Sequence, residues 1–358
     1  MISPEGVLKA LGTVQDPDLH RDLVSLGMIE DVSVQDGKVS FTLVLTTAAC
    51  PLKAQIEGDC RAAVAALPGV REVVIRTTSR MRKAKAPGAD RQPIEGVAQV
   101  IAIGSGKGGV GKSTVATNLA VSLAAAGAKV GLLDGDIYGP NLPRMLGTRK
   151  QPVQRDGKIL PVEAWGLRFL SMGLLVSEGE AVVWRGPMLH GAIKSFLHDV
   201  DWGELDYLLV DLPPGTGDVQ LSLIQQTHVA GAVVVTTPST VAIDDAVKAV
   251  GMFEKLQVPV LGVIENMSYF LCDGCGKRHE IFASGTAESR FLAMGLPFLG
   301  AIPLHPNVRA GGDEGRPVVL AEPDTEYGRA LAQIAGSLAQ RISIQAMGTT
   351  PDASPTHA

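Results

Sequence analysis

Two groups of residues in this chain have the types and spacing for chemistry. The first is "GKGGVGKST", Gly106 to Thr114. It contains G-x4-G-K-S, with the apolar run "QVIAI" before it and a helical pattern after it, the context that a phosphate-binding loop needs. Glycines let backbone N–H groups turn onto phosphate oxygens where a side chain would block them, and the following helix adds its positive N-terminus. The candidate cradle is therefore Gly106, Lys107, Gly108, Gly109, Val110, Gly111, Lys112, Ser113 and Thr114. Lys112 is expected to reach the β- and γ-phosphates of ATP, and the Ser113 hydroxyl to ligate Mg²⁺. The second group is Cys272 and Cys275 in "NMSYFLCDGCGKRHEIF". Thiols at this spacing hold a metal or run redox chemistry, yet a tetrahedral metal takes four ligands and this stretch supplies two.

Further polar residues fall at the ends of apolar runs, where open α/β sheets place their ligands. "LLDGDIYGPN" offers Asp134 and Asp136, and "LLVDLPPGTGD" offers Asp211. The run before Asp211 suits a Walker B acid that holds Mg²⁺ through water, and the Gly215 backbone N–H is placed to sense the γ-phosphate. Asp134 reads equally well as a residue that ties a loop, and Asp218 as a helix cap. Asn266 ends another run; its amide carries both a donor and an acceptor, which suits the N6/N7 edge of adenine.

The elements that must position these groups follow from the pattern. From about Val97, short apolar runs ("KVGLLDGD", "DYLLVDLPPG", "GAVVVTTP", "VPVLGVIEN", "PFLGAIP") alternate with helical segments. Near-continuous apolar strands are buried on both faces, so the fold class is α/β: a P-loop NTPase with a mostly parallel sheet flanked by helices, plus a small N-terminal α/β domain. "DGKILPVEAWGLRFLSMG" reads as an inserted hairpin. Residues 1–80 form the small domain. There Ser3-Pro4 opens a helix, Asp36-Gly37 turns a hairpin, Pro51 opens a second helix with Ile56, Cys60 and Val64 on its inner face, and "VREVVIR" is a strand. Residues 81–96, basic and then rich in Pro, Gly and Ala, read as a linker. Residues 97–343 form the larger P-loop domain, with a last helix over about 325–342, and 344–358 a disordered tail.

Composition narrows the function classes. The net charge of −5 argues against a dedicated nucleic-acid surface. No apolar run approaches the roughly 18–20 residues that cross a bilayer, and the start does not resemble a signal peptide. Four cysteines in 358 residues do not make a disulfide scaffold. These features point to a cytoplasmic protein with no membrane and no nucleic-acid partner.

With Lys107 directly after Gly106, the loop resembles the deviant Walker A signature of the superfamily that holds the Min/Par ATPases, the nitrogenase iron protein and Mrp. That resemblance implies a homodimer in which Lys107 reaches across a twofold axis to the partner's nucleotide. It also implies that Asp136 orients the attacking water near Mg²⁺ and that Asn266 contacts adenine. "DIYGPN", "DLPPGTGD" and the C-x2-C after "ENMSYF" together resemble the Mrp/ApbC family of iron–sulfur cluster carrier ATPases, from Val97 to about Ile342. One departure is Asn141, where that family commonly has serine. "DPDLHRDLVSLGMI" and "TTAACPL" resemble the small iron–sulfur assembly domain often fused in front of it.

The resemblance implies an ATPase whose catalytic residues are Lys107, Lys112, Asp136 and Asp211, acting on iron–sulfur apoprotein targets together with assembly factors. If two copies meet about a twofold axis, the two Cys272/Cys275 pairs supply four thiolates to one bridging cluster, most simply [4Fe–4S]. Two rivals stand beside this: a structural zinc on Cys272, Cys275 and His279 completed by His305 or another residue, and a redox pair, which would have to open a helix. A positioning or partitioning ATPase acting on membrane or DNA, and a nucleotide-gated adaptor with a structural zinc and negligible turnover, are the rivals at the level of function. Cys50, before Pro51 at a helix start, is expected to have a lowered pKa and to be a reactive thiol or a transient ligand, with a buried structural role as the alternative.

Overall fold

The computed structural model describes residues 2–83, 91–137, 139–175, 186–272, 274–282 and 286–348. It divides into two compact units: the chain up to Arg82 joined by the segment from Ala339 on, and Lys83–Leu338.

In the first unit, α1 (Pro4–Leu11) starts as its sequence dictates. Ser3 is the N-cap, its hydroxyl accepts the Gly6 N–H at 3.1 Å, and Pro4 needs no donor at the first position. Strands β1 (Ile29–Gln35) and β2 (Lys38–Leu45) pair antiparallel around Asp36-Gly37, both in the left-handed region. β2 then pairs parallel with β3 (Glu72–Ser79). Helix α2 (Lys53–Ala65) packs Ile56, Cys60 and Val64 into the core, beside Val7, Leu11 and Phe41.

The second unit is built on an eight-stranded sheet. Its strands, in chain order, are β4 (Val97–Gly104), β5 (Val130–Asp134), β6 (Val162–Ala164), β7 (Leu167–Leu170), β8 (Leu205–Asp211), β9 (Gly231–Thr236), β10 (Val260–Glu265) and, after a short hairpin described below, Phe298–Ala301 at the far edge. Across the sheet the order is β6-β7-β5-β8-β4-β9-β10 and then that edge strand. Every pairing is parallel except β6 with β7. The central strands are apolar and buried, as two-faced coverage requires. Helices α3 (Lys112–Ala125), α4 (Gly186–His198), α5 (Asp218–Gln226) and α6 (Thr240–Lys255) cross between strands. α3 buries most of its circumference and is rich in Ala, Ser and Thr, small enough to lie close on the sheet. Gly217, not Asp218, holds the N-cap position of α5.

Three boundaries differ from the sequence expectation. The stretch read as one inserted hairpin is two: Val153–Arg155 with Lys158–Leu160, and β6 with β7, the second of which extends the main sheet beside β5. In the expected linker, residues 84–90 lie outside the described residues, but 91–96 are anchored at particular points while Gln92, Pro93 and Glu95 stay exposed. Ile94 is buried, Arg91 Nη2 donates to Leu256 O at 2.8 Å, and Gln92 bridges to Thr227. The last helix, Glu326–Ala346, runs four residues further than expected and takes in the start of the presumed tail. Ile344 is buried in the first unit's core and Met347 packs against it, while 349–358 lie outside the described residues.

Candidate functional site

The loop between β4 and α3 crosses the carboxyl end of the sheet at its middle. Gly106 permits this crossing: a Cβ there would lie 2.1 Å from the Asp245 backbone carbonyl on α6. Gly109 and Gly111 take φ of +81° and +79°, and Gly111 is the N-cap of α3. The loop bounds an open cavity of about 300 Å³, whose other walls include Asp136, Asn141 and Pro214.

Lys112 is buried and its Nζ donates to Asp211 Oδ1 at 2.6 Å. Burial pushes the Asp211 carboxyl up, while the Lys112 ammonium and the Ser113 hydroxyl pull it back. Its second oxygen, Oδ2, is buried with no hydrogen-bond partner. A carboxylate with one oxygen to spare and a serine hydroxyl alongside is a donor set that fits a hard divalent cation. Asp134 ends β5 in register with Asp211 on β8. Burial, and then the Asp211 charge, push its carboxyl up to about 7. It accepts from the Ser171 hydroxyl at 2.8 Å and from the N–H groups of Asp136 and Leu142 at 3.2 and 3.4 Å, so it ties down the loop that carries Asp136. Ser171 carried no signal in the sequence. Asp136 is half-buried on the cavity wall, where its Oδ1 accepts the Gly139 N–H at 3.2 Å.

Lys107 is half-buried on the cavity wall, and among the described residues no carboxylate pairs with it. Two expectations meet a different geometry. The Gly215 N–H donates to Ser105 O at 3.0 Å, so it faces the end of β4, and γ-phosphate sensing would require that bond to open. Asn266 comes to the loop, but its Nδ2 donates to Val110 O at 2.9 Å.

The cysteine pair sits on a hairpin, β11 (Phe270–Leu271) with β12 (Arg278–His279). Cys272 is half-buried and Cys275 exposed. The Cys275 and Gly276 N–H groups both donate to Cys272 O, and Cys272 N–H donates to Lys277 O at 3.0 Å. This is a tight turn and not a helix start, which removes the geometry a thioredoxin-like pair needs. Asp273 lies outside the described residues. His279 is exposed on β12. His305 caps the helix Pro306–Glu314 through Nδ1 and stacks on Tyr327 at 4.5 Å. Among the described residues no three His, Cys, Asp or Glu side chains are grouped to hold a metal.

Cys50 corrects an expectation. α2 begins at Lys53 with Leu52 as its N-cap, so the thiol lies ahead of the helix start. Burial, reinforced by the charges of Asp18 and Asp16, pushes it above the ordinary thiol value instead of below it. Cys60 is in the core as expected, its thiol pushed up to about 11, chiefly by burial.

Sheet order, loop and buried Lys112–Asp211 pair define a P-loop NTPase. Comparison with known proteins narrows this. Residues 96–339 match the model of the ParA family, described as NUBPL iron-transfer P-loop NTPase, and residues 4–75 match an iron–sulfur cluster assembly protein domain. The iron–sulfur cluster carrier protein of Deinococcus radiodurans is 52% identical over 353 residues, covering 98% of this chain and 99% of that one. Its counterpart in Synechocystis is 49% identical, covering 97% and 100%. Among solved structures, a nucleotide-binding protein of Archaeoglobus fulgidus in complex with ADP is 37% identical with a TM-score of 0.57, over 65% of this chain and 92% of that one. The cell division ATPase MinD of Pyrococcus furiosus is 27% identical with a TM-score of 0.52, over 67% and 97%. The chain belongs to the iron–sulfur cluster carrier family of P-loop NTPases.

Proposed function

We propose that this chain is a Mg²⁺-dependent ATPase that carries an iron–sulfur cluster, most simply [4Fe–4S], and passes it to apoproteins. In this reading the working form is a homodimer in the cytoplasm. The observation that carries it is the coexistence, on one unit, of a phosphate loop and a thiol pair, half-buried Cys272 and exposed Cys275, holding only half of a ligand set. Lys112 and the loop N–H groups bind the phosphates, and Ser113 and Asp211 hold Mg²⁺, which neutralises charge developing on the transferred group. Asp136, on the cavity wall, orients the attacking water, and Lys107 of each copy completes the partner's site. The cluster is cargo, held by Cys272 and Cys275 of both copies.

The test is to substitute Cys272→Ala and Cys275→Ala singly and reconstitute each variant anaerobically with iron and sulfide. Cluster absorbance is expected to disappear while ATP affinity stays within about twofold of the parent, because the loop is untouched. Full cluster content in either variant would remove the ligand assignment.

A further inference from the structure

The thiol pair and the phosphate loop are joined by only a few residues. Asn266, at the end of β10, is buried and gives its Nδ2 to Val110 O. Next to it, Met267 takes φ of +55°, a left-handed conformation that a non-glycine residue adopts only when its surroundings hold it there. Both lie against the loop: a Cβ on Gly111 would come within 2.2 Å of Asn266 Nδ2 and 3.6 Å of Met267 Cε. Ser268 is buried, its hydroxyl donates to Glu265 Oε1 at 2.5 Å, and its N–H donates to Ile302 O at 2.9 Å. Leu304 N–H then donates to Tyr269 O at 2.7 Å, and Phe270 bridges to Leu304. Two residues beyond Phe270 comes Cys272.

From these contacts we propose that the segment Asn266–Cys272 links nucleotide occupancy to the thiol pair, with Asn266 and Ser268 as positioning residues. This rests on the reading of Cys272 and Cys275 as cluster ligands. The physical reason is the planarity of one peptide. Val110 C=O and Gly111 N–H belong to the same rigid unit and point in opposite directions. When the Gly111 N–H turns onto a phosphate oxygen, the Val110 carbonyl is fixed on the other side, where Asn266 Nδ2 meets it. Asn266 therefore registers the orientation of a phosphate-binding peptide. The segment behind it is fastened along its length to residues 302–304, so a displacement passes along it without being taken up as slack. A nucleotide that sets the peptide differently presents Cys272 and Cys275 differently, which is the differential contact that coupling between two sites requires.

The test uses full-length protein without cluster. The alkylation rate of Cys275 by N-ethylmaleimide is followed by peptide mass spectrometry, with no nucleotide, with saturating ADP and with a saturating non-hydrolysable ATP analogue. In the parent the rate is expected to change at least about fivefold between nucleotide states. Ser268→Ala, which does not face the cavity, is expected to bind nucleotide with the parent's affinity and to lose most of that change. Asn266→Ala, measured at saturation, is expected to lose nearly all of it. A parent whose thiols ignore nucleotide, or a Ser268→Ala protein that responds as the parent does, would overturn the link. Should Asn266→Ala not fold, Ser268→Ala decides alone. Thiols that respond in a protein that reconstitutes no cluster would support the link while removing the carrier reading, so the two failures are distinct.

Discussion

Lys112 and Asp211 carry opposite charges 2.6 Å apart in the interior. Removing one partner of such a pair leaves the other uncompensated. Lys112→Ala is therefore expected to lower ATP hydrolysis at least about 100-fold, as loss of a group that stabilises transition-state charge does. Steady-state phosphate release checks this, and an unchanged rate would refute the loop assignment. Asp134 makes a separate pH prediction. Its carboxyl is raised from 3.8 to about 7, chiefly by burial. A raised acid binds its proton more tightly in the folded chain, so its contribution to stability is full below about pH 4 and is lost as pH rises through about 7. Asp134→Asn keeps the neutral form at every pH. Its melting temperature without nucleotide, relative to the parent, is expected to rise from pH 5 to pH 8 by several °C, to order of magnitude. A difference independent of pH would contradict this.

At the scale of elements, the positions of the chemical groups were legible and the ends of the structure were not. The loop after β4, the acids ending β5 and β8, Asn266 ending β10 and the cysteine turn all follow from apolar runs punctuated by Gly, Asp and Asn. Those signals are local. The bonds from Asp134 to Ser171 and from Asn266 to Val110 join residues far apart in sequence, so no spacing announces them. The same holds for Cys50, where burial, reinforced by the charges of Asp18 and Asp16 from a different element, reverses the expected direction of its pKa. The last helix extends beyond the sequence expectation because its final turns belong to the first unit's core: Ile344 is buried there and Gln340 Nε2 donates to Asp18 Oδ1. Ile344→Ala is expected to destabilise that unit by about 2–4 kcal/mol. Hydrogen exchange of β2 and α2 reads this unit separately. Unchanged protection there would show that the helix end contributes nothing to its core.

At the scale of the whole molecule, the proposed function joins a nucleotide switch to a metal carrier through the number of ligands. In that proposal each chain offers two cysteine sulfurs on one turn, and a second copy would complete the ligand set. The direct measurement is anaerobic reconstitution of the full-length protein, followed by size-exclusion chromatography with in-line light scattering and iron and sulfide counting. Iron is expected to elute only with the dimer, at roughly four irons per two chains. A monomer that carries a full complement of iron would contradict it.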